Sequence, residues 1–287
     1  MRAIRTCLLA LVAACGGSDS KDVDAMVMII PDAPPDAPPD AFEPTFNFAC
    51  EGNTQGTAAA NVTLSGAALE VVVNNLQPDI APAHNATIDV CKASSTTCAN
   101  ADKLDTKTTP MMGCPATGCA FTTDALATGG SPLDVYVKAT KTGNRTTYIY
   151  PSAPVIANVM NVPGVMFTPG VIAALGIVGI TQTDGKSIML VAVTDCANMP
   201  ITDTANLNIT IKQGGTAVAG TTVLDASMLD PMLAGTFAVF NVPAGPDTNN
   251  PSAVTEVGGT YKTHTLRAHD VRVFRDATTA TQLRPGF

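Results

Sequence analysis

The reactive groups of this chain are mostly sulfur. Beyond residue 15 it carries Cys50, Cys91, Cys98, Cys114, Cys119 and Cys196. An even set of cysteines can build a disulfide framework or a metal centre, and spacing separates the two. No CxxC occurs, and no histidine neighbours these cysteines in the sequence, so a zinc site is set aside. The expected pairs are Cys91–Cys98 and Cys114–Cys119, as local loop clips. Cys50–Cys196 follows by elimination and would tie the start of one domain to the next.

Acid–base chemistry is thinly supplied. Among the three histidines, His84 sits in the loop Pro82-Ala83-His84-Asn85 and is expected at the surface. His264 and His269 are five apart, which puts them on opposite faces of a strand or about 140° apart on a helix. Neither arrangement makes a two-histidine metal clamp, and His269 reads as a solvated residue near a strand end. HExxH, GxSxG, Walker A and GxGxxG sequences do not occur. Asp195, Asp203, Asp225, Asp230 and Asp247 are scattered, and spacing alone assigns them to no glycosidase-type pair. Asp247-Thr248-Asn249-Asn250 reads as a turn in which Asp and Asn bond their own backbone, ahead of a calcium loop. Tyr136, Tyr148 and Tyr150 form a candidate ligand surface. With no Trp and only four Tyr, the capacity to stack sugars is small. The residues therefore point to no catalytic group, no metal and no cofactor.

The elements that must position these groups are strands. The chain has 287 residues, 46% hydrophobic and only 14% charged, with 23 Gly and 21 Pro. That composition excludes a bulk disordered chain and a coiled coil, and it argues against a helical enzyme, whose wet faces need more Glu, Lys and Arg. A net charge of −8 excludes nucleic acid as a partner, because phosphate binding needs a basic stripe. Leu133, Val135, Val137 and Ala139 alternate onto one face, as do Leu207, Ile209 and Ile211. Further strands are expected at 60–72, 86–92, 119–123, 145–150, 187–195, 219–224, 235–242, 260–268, 270–275 and 279–284, in half-buried antiparallel sheets. Residues 154–180 carry no charge, yet their prolines, asparagines and glycines argue against a membrane span. A short helix is expected at 169–176, capped by Thr168 with Pro169 at its first position. The division is a β-sandwich domain at 46–158, a linker at 159–180 and a second sandwich at 181–287.

The N-terminus reads as an address. Arg2 and Arg5 precede the apolar run Cys7–Ala14, and Val12-Ala13-Ala14-Cys15 resembles the lipobox of bacterial lipoproteins. The resemblance implies cleavage after residue 14 and acylation of Cys15, palmitate included, by chemistry that needs a thiol behind small residues. Loss of residues 1–14 removes two arginines and takes the charge from −8 to −10, so the lipid rather than electrostatics would hold the protein to an anionic surface. Residues 15–45 form a disordered tether. Its stretch 31–41, PDAPPDAPPDA, is expected to be polyproline II, a stiff spacer with no core. Met26–Ile30 is an apolar run without a physical account beyond contact with the membrane or a neighbour. Gly16 stands where an aspartate would retain a lipoprotein at the inner membrane, which favours the outer membrane of a Gram-negative bacterium.

Two segments carry a wider resemblance. Gly130-Ser-Pro132-Leu-Asp134-Val-Tyr136-Val-Lys138 with Tyr148-Ile-Tyr150-Pro151, and Ser187–Cys196 through Gly235-Thr-Phe237-Ala-Val-Phe240-Asn241-Val242-Pro243-Ala-Gly245, resemble bacterial lipoproteins with carboxypeptidase-regulatory-like (transthyretin/prealbumin-like) domains. The resemblance covers roughly residues 46–287 and implies all-β architecture, with two seven-stranded Greek-key sandwiches and no catalytic residues of their own. Two departures stand out: the first half lacks the NVPxG turn, and the second carries an insertion, Pro246–Gly258, that blurs strand boundaries at 246–260. The functional expectation is a monomeric, non-enzymatic cell-envelope lipoprotein. It would present a binding or scaffolding surface to an envelope protein or polysaccharide. The alternatives are a polysaccharide-binding accessory module and, below it, an envelope hydrolase or oxygenase with an unrecognised site.

Overall fold

The computed structural model describes residues 45–74, 77–228 and 231–287. The expected signal peptide, Cys15, the apolar run and the Pro-rich repeat lie outside the described residues, as does Asp230. Residues 45–287 form one compact unit.

In chain order the first half supplies β1 (Asn61–Val62), β2 (Leu64–Asn74), β3 (Gln77–Pro82), β4 (Thr87–Lys92) and β5 (Lys103–Thr108). Then come β6 (Cys119–Thr122), β7 (Leu126–Ala127), β8 (Val135–Thr140), β9 (Thr147–Tyr150) and β10 (Val159–Phe167), followed by helix α1 (Pro169–Leu175). The second half supplies β11 (Lys186–Val193), β12 (Leu207–Gln213), β13 (Thr216–Ala217) and β14 (Thr222–Asp225). It ends with β15 (Thr236–Pro243), β16 (Ser252–Tyr261), β17 (His264–Phe274) and β18 (Thr278–Leu283).

The fold is all-β, and its centre is a single eight-stranded sheet, ordered β14-β15-β11-β18-β9-β8-β4-β5. Its strands come from both halves of the chain, so the expected division at 159–180 is not a break between separate cores. Strand β18 sits between β11 and β9 and runs parallel to both. Alternation along each strand then feeds two cores. Ile188 and Leu190 of β11 pack with Ile88, Val137, Ile149, Phe240 and Ala280 on one face, under the sheet made by β10, β2, β3 and β6. Met189, Val191 and Val193 pack with Tyr136, Tyr150, Val239 and Leu283 on the other face, under β12, β16 and β17. The middle sheet is thus covered on both sides, which is why β11 reads as the near-continuous apolar run Ile188–Val193. Each fully buried Ile, Met or Phe in it stabilises the fold by about 1.5–3 kcal/mol.

Several expectations are corrected. The sheets are mixed, since β10 also pairs parallel with β2. Those two backbones approach so closely that a side chain at Gly66 would collide with the Val162 carbonyl, where the register also shifts. The expected linker residues 159–167 are therefore a strand, β10. Helix α1 forms as expected, but Thr168 makes no side-chain cap. Its hydroxyl instead donates to the Val71 carbonyl on β2. The segment 246–260 resolves into a loop and then β16, which starts at Ser252. The β16–β17 hairpin turns between Tyr261 and His264, with Lys262 at φ 51°. No helix among the described residues is long and apolar enough to cross a membrane.

Candidate functional site

Two places gather chemically capable residues, and both are organised around a disulfide. The first is where the chain enters the folded body. Cys50 is joined to Cys196, with Cα atoms 5.7 Å apart. Around that bond the segment 46–51 is held by ring contacts and hydrogen bonds. Phe48 stacks on the His264 ring at 3.8 Å and on Tyr261 at 5.7 Å, while Phe46 meets Tyr261 edge-on at 5.5 Å. The Asn47 amide donates to Asp195 Oδ2 at 2.8 Å, and the Cys196 amide donates back to the Asn47 carbonyl at 2.8 Å. Glu51 accepts from the Thr265 amide at 2.7 Å and pairs with His264 Nδ1 at 2.8 Å. The Thr265 amide first, and His264 second, hold the Glu51 carboxyl below its ordinary range. Asp195 is buried, and its Oδ1 also accepts from the Ala197 and Met199 amides at 2.8 Å each. This carboxylate fixes backbone.

The second place lies at the end of the first-half sheet. Cys114 and Cys119 are joined, with Cα atoms 4.9 Å apart, and His84 Nδ1 lies 3.5 Å from Cys119 Sγ. The donor atoms of all three residues fall within 4.8 Å of one another. Strand β2 brings them together. Ala68 pairs with Cys119 in the sheet, and the Ala68 carbonyl accepts from the Ala83 amide, one residue before His84. Asn85, at φ 54°, turns the chain so that its amide reaches the Pro110 carbonyl at 3.1 Å. The buried Thr109 hydroxyl accepts from the Ala86 amide and donates to the Ala83 carbonyl, both at 2.8 Å. Gly118 makes the final approach, since a Cβ there would sit 2.9 Å from the side chains of Ala67 and Leu69. His84 is thus half-buried beside a disulfide, where the sequence placed it at the surface without a cysteine neighbour. No local spacing could show this, because the contact is set by where two loops attach to one strand.

The third pair, Cys91–Cys98, closes a short loop with Cα atoms 5.5 Å apart, and both residues are buried. The tyrosine expectation is corrected. Tyr136 and Tyr150 are buried and pack on each other at 5.3 Å between ring centres. Tyr148 stacks on Phe274 at 3.8 Å, and burial raises its phenol to about 12. They are core residues facing β17, because the outer sheet covers what would otherwise be an exposed face.

His269 is also half-buried, with Nε2 2.6 Å from the Thr281 hydroxyl. Loss of solvent pushes its imidazole down to about 4, with the Arg267 charge adding to the effect. The remaining carboxylates hold turns. Asp203 accepts from the Ala205 amide, the Asn206 side chain and the Tyr261 hydroxyl. Asp225 accepts from the Ser227 amide, and Asp247 from the Asn249 and Asn250 amides. A separate open cleft of about 540 Å³ runs beside α1, lined by Arg145, Ile172, Ile180, Gln182 and Asp276 among others.

No family profile matches the chain, and no curated protein matches it. Among solved structures it is similar to a D295N mutant of the shaft pilin SpaA from Lactobacillus rhamnosus GG, at 11% identity and a TM-score of 0.21, covering 81% of this chain and 100% of that one. It is also similar to GBS52, a minor pilin of Streptococcus agalactiae, at 9% identity and a TM-score of 0.23, covering 79% of this chain and 96% of that one. Similarity at those scores carries no argument about function.

Proposed function

We propose that this chain is a non-enzymatic cell-envelope protein, lipid-anchored through Cys15, that carries a disulfide-locked β body on a Pro-rich tether as a scaffold. The observation that supports this most is the clamp at residues 46–51. A pull along the tether meets a covalent bond five residues after Thr45 and passes to Cys196, three residues beyond β11 in the middle sheet. The load is then borne by a strand paired on both sides, so no edge strand is peeled first. Three disulfides suit an exported protein, where an oxidising compartment keeps them closed.

The polysaccharide-module reading loses its best surface, since Tyr136 and Tyr150 are buried. Scaffolding through protein contacts is the reading retained. The test is palmitate labelling and membrane flotation of the full chain beside its Cys15→Ser variant. The wild type should label and float, with the outer membrane as the expected fraction, and the variant should do neither. Flotation of the variant at the wild-type level would sink the anchor, and with it the scaffold reading.

A further inference from the structure

The Cys114–Cys119 loop differs from an inert staple in what surrounds it. An imidazole nitrogen lies 3.5 Å from one of its sulfurs, and three donor atoms fall inside 4.8 Å. Directly before it stand Met111 and Met112, which are 75% and 80% exposed. Two adjacent methionines turned out to solvent are not explained by packing, because Met normally fills core gaps. Together the segment offers two cysteine sulfurs, two thioethers and one imidazole, almost all soft donors. Thiolate and thioether sulfur select cuprous copper over the hard divalent ions. Thr109, Ala68 and Pro110 fix the backbone on either side of His84, and Ala68 fixes Cys119 in the sheet, so the two residues are brought together before any metal arrives.

We propose that Cys114, Cys119 and His84 form a redox-gated site for cuprous copper, closed while the disulfide is intact and opened by a dithiol reductant. Opening proceeds by thiol–disulfide exchange. A reductant thiolate bonds to Cys114 Sγ, the half-exposed sulfur, while Cys119 Sγ is buried. The Cys114–Cys119 bond breaks, its electron pair goes to the Cys119 sulfur, and that sulfur takes a proton. The second reductant thiol then attacks the mixed disulfide and releases Cys114. The dithiol is thereby oxidised to a disulfide, and two electrons and two protons pass to the protein. Cuprous copper next bonds both sulfurs and His84 Nδ1, and the two thiol protons go to solvent. The oxidation state of the metal does not change.

The test is an anaerobic titration of the full chain with cuprous copper against a chromophoric chelator. It is run on the oxidised protein and on protein reduced with dithiothreitol and then desalted. The reduced chain should hold about one equivalent per molecule through its two thiolates and imidazole, and the oxidised chain should compete at least about tenfold more weakly. His84→Ala should weaken the reduced chain by at least about tenfold, and Cys114→Ser/Cys119→Ser should abolish the binding. Equal binding by oxidised and reduced protein overturns the gate. Retention by the double variant overturns the site, since the remaining cysteines would then be the ligands. Zinc capture without copper capture overturns the choice of metal. Should reduction unfold the chain, Cys114→Ser alone frees Cys119 without any reductant and leaves the other two disulfides closed. That variant should hold copper through Cys119 and His84, and adding His84→Ala should remove it. Failure of this pair of variants to differ would overturn the proposal independently of the fold, and independently of the anchor at Cys15.

Discussion

The Cys50–Cys196 clamp and the Cys114–Cys119 loop contain the same covalent bond in opposite settings. The first closes a sequence separation of 146 residues, is itself half-buried, and sits in a segment whose flanking residues stack on Tyr261 and His264, bond the buried Asp195 and bridge to Gly286 near the C-terminus. The second closes a separation of five, and residues 110–117 around it are exposed apart from Cys114. A disulfide stabilises a fold by restricting the unfolded chain, more so for a longer loop. By linkage, the fold protects each bond from reduction by the amount that the bond stabilises the fold. The long clamp is therefore the structural bond and the short loop the chemically available one. What surrounds a disulfide, more than its presence, separates a staple from a site.

The largest expected effect comes from removing the clamp. Cys50→Ala/Cys196→Ala should cost about 3–5 kcal/mol in thermal or denaturant unfolding. A loss below about 1 kcal/mol would erase the contrast.

Acid titration sharpens the same side of the comparison through His269, on the strand that also carries His264. Its folded value of about 4 lies below the unfolded value of 6.5, so the unfolded chain takes up the proton first. Stability should be complete above pH 6.5, fall by roughly 3 kcal/mol as pH drops toward 4, and level off below that. His269→Gln should flatten that slope in pH-dependent unfolding curves.

Opening the short loop with Cys114→Ser/Cys119→Ser should cost less than the clamp, about 1–2 kcal/mol. A cost equal to that of the clamp variant in the same assay would contradict the division of roles. The smallest effect belongs to Glu51. Its carboxyl is held below the ordinary range, so its contribution is present above the unfolded carboxylate value and is lost as pH falls through the folded one. Glu51→Gln should remove that acid-limb component while leaving neutral-pH melting nearly unchanged.

The sequence reading and the structure part company for physical reasons. Strand β12 was legible because Leu207, Ile209 and Ile211 alternate with polar residues over a half-buried face. Strand β11 was legible as a strand, but its unbroken run Ile188–Val193 signals burial on both faces, and that run is what reveals the shared middle sheet. Edge strands β5 and β3 were missed. Lys103-Leu104-Asp105-Thr106-Lys107 shows little apolar period, and Pro78 and Pro82 are tolerated only where a strand lacks one neighbour. Strand β10 was hidden by Pro163 and Gly164, where close contact with β2 replaces side-chain packing.

Of the two sites, the cysteine loops were legible from their short spacings. The partnership of His84 with Cys119 was not, because it depends on two segments that meet at Ala68 along one edge of β2, the other edge being taken by β10. The aromatic clamp was equally invisible, since Phe48 meets His264 across 216 residues of chain.

The most direct measurement is differential alkylation of the folded chain under graded dithiothreitol, with each cysteine read by mass spectrometry. The account predicts that Cys114 and Cys119 are alkylated first, while Cys50–Cys196 and the buried Cys91–Cys98 stay closed until the fold is lost. Alkylation of Cys50 and Cys196 before or together with the short loop would contradict it.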